Sequence, residues 1–288
     1  MILKQRFFKL EKTKSRIIIL GKNGFIAKSL CNKLKKNNLN FISFSKEKLN
    51  LEKKTSVKLL KNIIKPKDKI VFISAIAPVK NTKMLLRNIK ILNNVTEALK
   101  GKLFNQLIYI SSDAVFKDNA KIINENTQKT PMSLHGNMHL IRENVLLNYF
   151  GNKLCILRPT LIYGDEDPHN GYGPNKFLRL VSNNKNIQLF GKGEEMRDHV
   201  HINDVINVIK FCLTKNYIGN LNIASGKLIS FYEIAKLCAK KNRKVSIKYL
   251  PRSGPMPHGG YRKININKLK EVFKKIKFNK INRYIFNY

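Results

Sequence analysis

Short apolar runs rich in β-branched residues, each followed by a stretch of helical spacing, constrain this chain more than any other feature. Residues 16–20, "RIIIL", form one such run, and "GKNGFIAKSLCNKLKKN" follows with Ile26, Leu30 and Leu34 on one side. The pattern repeats as "NFISFS" (40–45) with a lysine-rich helix around 54–64, and as "DKIVFISAIAP" (68–78) with a helix over about 82–100. "LIYIS" (107–111) and "KLCILRP" (153–159) flank a helix that carries two histidines. A run without polar alternation suits a strand covered on both faces, and strands alternating with helices pair in parallel. The expected fold is α/β, a doubly wound parallel sheet. After Pro159 the texture changes to "IYGDEDPHNGYGPN", which reads as a long loop, and "FYEIAKLCAKK" is the clearest late helix. We expect a basic extension over 1–14, the sheet domain over 15–165, and a small lobe over 166–288. Within that lobe, about 198–215 is expected to pack back on the sheet domain.

The chain has 288 residues and 43% hydrophobic content, enough for a sizeable core. No stretch approaches the roughly 18 uncharged apolar residues of a membrane span. The start, "MILKQRFFKLEKTK", lacks the apolar run of a secretory signal, and the expected location is cytoplasmic. Cys31, Cys155, Cys212 and Cys238 have no CxxC spacing and read as free thiols. The net charge of +38 predicts a strong positive potential. The lysines are nevertheless spread along the chain rather than clustered with aromatics, so specific nucleic-acid binding is not expected. Eleven of the eighteen acidic residues lie between Asp113 and Asp204, a concentration that points to a functional region or to local charge balance.

A strand, then Gly21-Lys22-Asn23-Gly24-Phe25-Ile26-Ala27, then a helix, gives a glycine turn its meaning. The first glycine makes the turn, the second lets backbone approach a pyrophosphate, and Ala27 keeps the helix–strand contact small. The helix N-terminus offers N–H groups and partial positive charge to phosphate. With this loop in a Rossmann-like context, the chain resembles the extended short-chain dehydrogenase/reductase family of NAD(P)-dependent nucleotide-sugar epimerases and dehydratases. "GKNGFIA", "YISSDAVF", "LRPTLIYG", "LFGKGEEMRDHVHINDV" and "NIASGKLISFYEIAKLC" are similar to its segments, in its order, from residue 21 to 238. The resemblance implies cofactor contacts at Gly21, Asn23, Gly24, Phe25 and Ile26, with Ser45, Lys46, Ala75 and Pro159 completing that surface. It implies a nucleotide-sugar ligand met by Asn175, Arg197 and Arg262, with Arg252 as a further candidate. Arg197 matches an arginine that grips the diphosphate, a role suited to a bidentate guanidinium. Ser112 matches the family's catalytic Ser/Thr. Asp113 matches the aspartate of the STDxV form and is expected either as an acid or as a local cap.

"PMSLHGNMHLIREN" falls where the family has P-x-S-x-Y-G-x-x-K, so His135 occupies the tyrosine position and His139 the lysine position. The two are one helical turn apart and share a face. Metal binding needs a third ligand, and nothing in the sequence brings His169, His199 or His201 to the pair, so no metal site is expected. A second reading takes Met138, Ile141, Val145 and Tyr149 as the apolar stripe, leaving His135, His139 and Arg142 on its flank. The third makes His135 the acid/base: tyrosine needs a cation to work near neutrality, whereas imidazole titrates near 6.5 unaided. His139 then helps to position the ribose.

The end of the second strand offers Ser43, Phe44, Ser45 and Lys46 where an NAD enzyme usually has Asp or Glu, so NADP is favoured over NAD. The expected activity is hydride transfer at a sugar carbon. A catalytically silent cofactor-binding protein is the alternative, and pairing of two copies is left open.

Overall fold

The fold is described from a computed structural model for residues 15–168, 170–274 and 276–288; the extension expected over 1–14 lies outside them. The first half runs β1 (Ile17–Leu20), α1 (Phe25–Lys36), β2 (Phe41–Phe44), α2 (Thr55–Ile63), β3 (Lys69–Phe72), α3 (Thr82–Leu99) and β4 (Gln106–Ile110). Then come β5 (Ile122–Ile123), α4 (Leu134–Phe150), β6 (Leu154–Pro159), β7 (Leu161–Tyr163), α5 (Pro174–Ser182) and β8 (Ile187–Phe190). The chain continues through β9 (Met196–His201), α6 (Ile202–Lys215), β10 (Gly219–Ile223), β11 (Leu228–Ser230) and α7 (Phe231–Ala239). It closes with β12 (Ile247–Leu250), β13 (Tyr261–Ile264), α8 (Asn267–Val272) and α9 (Ile281–Asn287).

Six parallel strands make the central sheet in the order β2-β1-β3-β4-β6-β10. Every residue of β1, β3, β4 and β6 is buried, because helices cover both faces, and this is why those runs carry no polar alternation. Leu30 and Leu34 of α1 meet Val205, Ile209 and Leu213 of α6 on one face. Leu60 of α2, Ile91 and Val95 of α3 and Leu146 of α4 fill the other. A third core, with Phe177, Ile187, Phe231 and Ile234, lies in the C-terminal lobe. The return to the sheet domain extends beyond α6 to Ile223, since β10 is the outermost strand.

Helix α4 corrects the expected apolar stripe. Its buried residues are Gly136, Met138, His139, Arg142, Glu143, Leu146 and Phe150, while Ile141 and Tyr149 are exposed. The inward face is thus largely polar. Arg158 of β6 sets Nε and Nη2 on the two Glu143 oxygens at 2.7 and 2.8 Å, and Ser111 Oγ donates to Glu143 Oε1 at 2.7 Å. Ser133 caps the helix by accepting from Gly136 N at 3.0 Å. Gly136 lets the first turn rest on the 112–115 segment, for a Cβ there would lie 2.2 Å from Ala114 O.

Removing one partner of a fully buried ion pair strands the other charge. Glu143→Gln is expected to lower unfolding free energy by about 3–5 kcal/mol, and Glu143→Leu/Arg158→Met by much less. Urea denaturation of the three proteins checks this.

Candidate active site

The cleft begins where β1 ends. Gly21 has φ +106°, and a Cβ on it would stand 2.9 Å from the Cα and N of Ser74, so only glycine crosses the end of β3 here. Gly21 N and Lys22 N both donate to Phe44 O, at 3.2 and 2.9 Å, and Gly24 N donates to Gly21 O at 3.1 Å. Gly24 is the N-cap of α1 and supplies no side-chain cap, so the first-turn N–H groups of Phe25, Ile26 and Ala27 have no acceptor within the helix. A cleft of about 220 Å³ opens at this turn. Gly21, Asn23, Gly24, Ser45, Lys46 and Ala75 line it. The side chains of Phe25 and Ile26 pack into the core instead, leaving only their backbone for a ligand, and Pro159 is buried at the end of β6, away from this lining.

Two charged lining residues, Glu52 and Arg87, escaped the sequence reading. Glu52 accepts from Arg87 Nε at 2.7 Å and Nη2 at 2.9 Å, and its Oε1 lies 2.9 Å from Lys46 Nζ. Hydrogen bonds from Arg87, then Lys46, hold the Glu52 carboxyl at about 2. The cleft therefore has an acid after all, supplied by the segment before α2 rather than by the end of β2. Glu52 and Arg87 are 35 residues apart, so no local pattern links them.

The histidine pair sits further along. His139 is buried and its Nδ1 is 2.6 Å from the Tyr109 hydroxyl. His135 meets it edge to face, with ring centroids 4.8 Å apart, and its Nδ1 is 3.5 Å from Val79 N. Arg142, also fully buried, donates to Ser74 O at 2.8 Å and to Asn88 O and Oδ1 at 2.9 Å. Burial pushes both imidazoles below the ordinary histidine range; the neighbouring His135 and Arg142 push His139 further down. Both rings are consequently neutral at physiological pH. His139 and Arg142 thus belong to the buried face of α4 rather than to the flank of an apolar stripe.

The remaining candidates are brought together but already partnered. Ser112 Oγ accepts from Ala114 N at 3.2 Å, capping the short turn 113–115. Asp113 Oδ2 accepts from Arg262 Nε at 3.0 Å, and Arg262 Nη2 donates to Asp113 O at 2.6 Å. Asp113 is thus an ion-pair acceptor, not a free acid. Arg197 and Arg262 are register partners on β9 and β13, and Arg197 is held by Glu195 and by Met196 O. His258, also unforeseen, lies 3.0 Å from Arg262 Nη1 and 2.6 Å from Asp118 Oδ1. Asn175 is turned into its own loop, donating to Asp167 Oδ2 at 2.8 Å and accepting from Gly164 N at 3.2 Å. Among the described residues no three His, Cys, Asp or Glu side chains converge on one point; His169 lies outside them.

Residues 17–224 match the family described as NAD dependent epimerase/dehydratase. The chain belongs to that family. An uncharacterized UDP-glucose epimerase of Bacillus subtilis is 26% identical over 256 residues, covering 77% of this chain and 80% of the relative. A dTDP-D-glucose 4,6-dehydratase of Dictyostelium discoideum is 26% identical over 201 residues, covering 62% of this chain but only 46% of the relative, about half its length. Among solved structures, UDP-glucuronic acid 4-epimerase from Bacillus cereus, in complex with UDP-glucuronic acid and NAD, superposes with TM-score 0.78 at 21% identity, covering 94% of this chain and 96% of that one. The dTDP-4-dehydrorhamnose reductase from Bacillus anthracis, in complex with NADP, superposes with TM-score 0.77 at 20% identity, covering 96% and 98%. At these identities the superpositions establish the Rossmann-like fold.

His199 gives this region a pH signature. Both of its ring nitrogens are sealed from solvent without a hydrogen-bond partner among the described residues, and burial pushes the imidazole down to about 4. Between that value and the ordinary 6.5 the unfolded chain binds a proton that the fold refuses. Stability therefore falls as pH drops through this window, by about 2 kcal/mol between pH 7 and pH 5. His199→Phe is expected to remove that part of the pH dependence, as urea denaturation at the two pH values would show.

Proposed function

We propose that the protein binds a nicotinamide dinucleotide in the cleft at the Gly21 turn and transfers hydride to or from a carbon of a nucleotide sugar. The observation that carries the reading is the turn itself: a glycine pressed on Ser74 opens onto a helix start whose N–H groups lack partners. That chemistry suits a pyrophosphate. When bound, the nicotinamide supplies the hydride acceptor or donor; the chain's residues hold it and handle the proton. His135 exchanges the proton of the reacting hydroxyl, with Ser112 beside it as a hydrogen-bonding partner. Arg197 and Arg262 receive the sugar-linked diphosphate, in part by exchanging carboxylate partners for phosphate.

We propose NADP as the preferred cofactor. Lys46 and Arg87 bracket the cleft against the single charge of Glu52, a balance that leaves one positive charge for a 2′-phosphate. NADPH is expected to bind more tightly than NADH by about tenfold, the scale of one charge-assisted contact, and Lys46→Asp to erase that difference. Titration of nicotinamide fluorescence checks both; equal affinities in the unaltered protein would overturn the preference.

For catalysis, His135→Ala is expected to lower kcat by at least about 100-fold while leaving cofactor affinity nearly unchanged. Because burial lowers its pKa, activity that needs neutral His135 should rise with pH at values below 6.5 and be level by about pH 7. Turnover of UDP-glucose and dTDP-glucose, followed by chromatography of the sugars, is the assay. A variant as fast as the parent would remove His135 from the reaction.

A further inference from the structure

We propose that residues 251–260, between β12 and β13, form a strap over Arg197 and Arg262, latched by His258, which a sugar-linked diphosphate must displace. The inference rests on the reading of those two arginines as the diphosphate site and adds a conformational step to it.

The burial of the two arginines carries the argument. Arg197 is 5% exposed and Arg262 2%, so no ligand meets either guanidinium until a cover moves. Pairing of β9 with β13 fixes both backbones, and Asp113 holds Arg262 through Nε and Nη2. The strap touches both side chains. Arg197 Nη2 donates to Pro257 O, and Arg262 Nη1 is 3.0 Å from His258 Nδ1. Pro251, Ser253, Gly254, Pro255, Pro257 and Gly259 are exposed, so the strap has solvent on its outer side and buried guanidinium beneath. Pro257 O is a neutral acceptor, whereas phosphate makes a bond charged at both ends, so a diphosphate outcompetes that carbonyl for Arg197.

The latch is built to give way. His258 Nδ1 also lies 2.6 Å from Asp118 Oδ1. A ring nitrogen either carries a hydrogen for the carboxylate or offers its lone pair to the guanidinium, never both. Whichever tautomer is present, one of the two contacts is unsatisfied. The His258 backbone is left-handed, with φ 55° and ψ 32°, a conformation that costs a residue bearing a Cβ. Gly254 and Gly259, at φ +90° and +62°, have no described atom within 4 Å of where a Cβ would stand, so the backbone can turn at both points without collision. Arg252 Nη2 donates to Phe190 O at 3.1 Å and keeps the start of the strap on β8. Movement is thereby confined to the stretch from Gly254 to Gly260.

The latch is tested on the full chain without ligand, by phenylglyoxal labelling of arginines read by mass spectrometry. Arg197 and Arg262 should label about tenfold faster in His258→Gly than in the unaltered protein, the scale of one charge-assisted hydrogen bond. Glycine at 258 removes the latch and suits the left-handed backbone, so the variant keeps its fold. Equal labelling rates in the two proteins overturn the latch. Competition is read separately, with UDP as the probe. By calorimetry, His258→Gly should bind UDP about tenfold more tightly, because a larger share of the protein is already open. Unchanged or weaker binding overturns the competition. Hydroxyl-radical footprinting of the unaltered protein, which needs no variant to fold, should show Met256 and His258 more reactive at saturating UDP. Equal or lower reactivity means that the strap stays or closes on UDP, and overturns the displacement. If labelling rises in His258→Gly but neither protein binds UDP, the diphosphate reading has failed and the competition falls with it, while the latch stands.

Discussion

Helix α4 buries charge, and much of the site follows from that. Taking a guanidinium out of water costs several kcal/mol unless every N–H finds an acceptor. Arg158 meets most of this with Glu143, itself on α4, and Arg142 meets most of it with the carbonyls of Ser74 and Asn88, leaving Arg158 Nη1 and Arg142 Nε without a hydrogen-bond partner among the described residues. Ser74 is also the residue against which Gly21 makes its turn. One buried cation therefore ties the histidine helix to the wall of the cleft. Asn88 extends the tie: its side chain accepts from Ile76 N and donates to Ile76 O, at 3.0 and 2.9 Å.

The same logic explains where a chain of net charge +38 keeps its few carboxylates. Glu143, Asp113 and Glu195 each hold an arginine that the fold has buried, and all three belong to the acid-rich stretch between Asp113 and Asp204. Local charge balance accounts for these three acids. Arg158, Arg262 and Arg197 are consequently held in place by carboxylates of the fold itself.

The sheet was legible because its signal is local. Four apolar residues in a row, bounded by a turn, mean the same thing wherever they pack, and β1, β2, β4 and β6 lie within one residue of the expected runs, while β3 stops at Phe72, well short of the expected end at residue 78. The glycine turn was legible for a similar reason: Gly21 must be glycine because of its own φ and the strand beside it. The inward face of α4 was not. A helical stripe is found by assuming that hydrocarbon faces inward, and here Ile141 and Tyr149 face out while Arg142 and Glu143 face in. Partners far away in sequence reverse the usual preference, since a paired charge can be buried and an apolar side chain can be left on the surface.

By itself, then, the sequence determined the parallel α/β architecture, the glycine turn, and two imidazoles one helical turn apart on α4. Only the tertiary structure decided what those imidazoles can do. Tyr109 and His139 are 30 residues apart, Arg142 and Ser74 are 68 apart, and Asp113 and Arg262 are 149 apart. A side chain's chemistry depends on the solvent it loses and the partner it gains, and both are set by which distant elements pack against it.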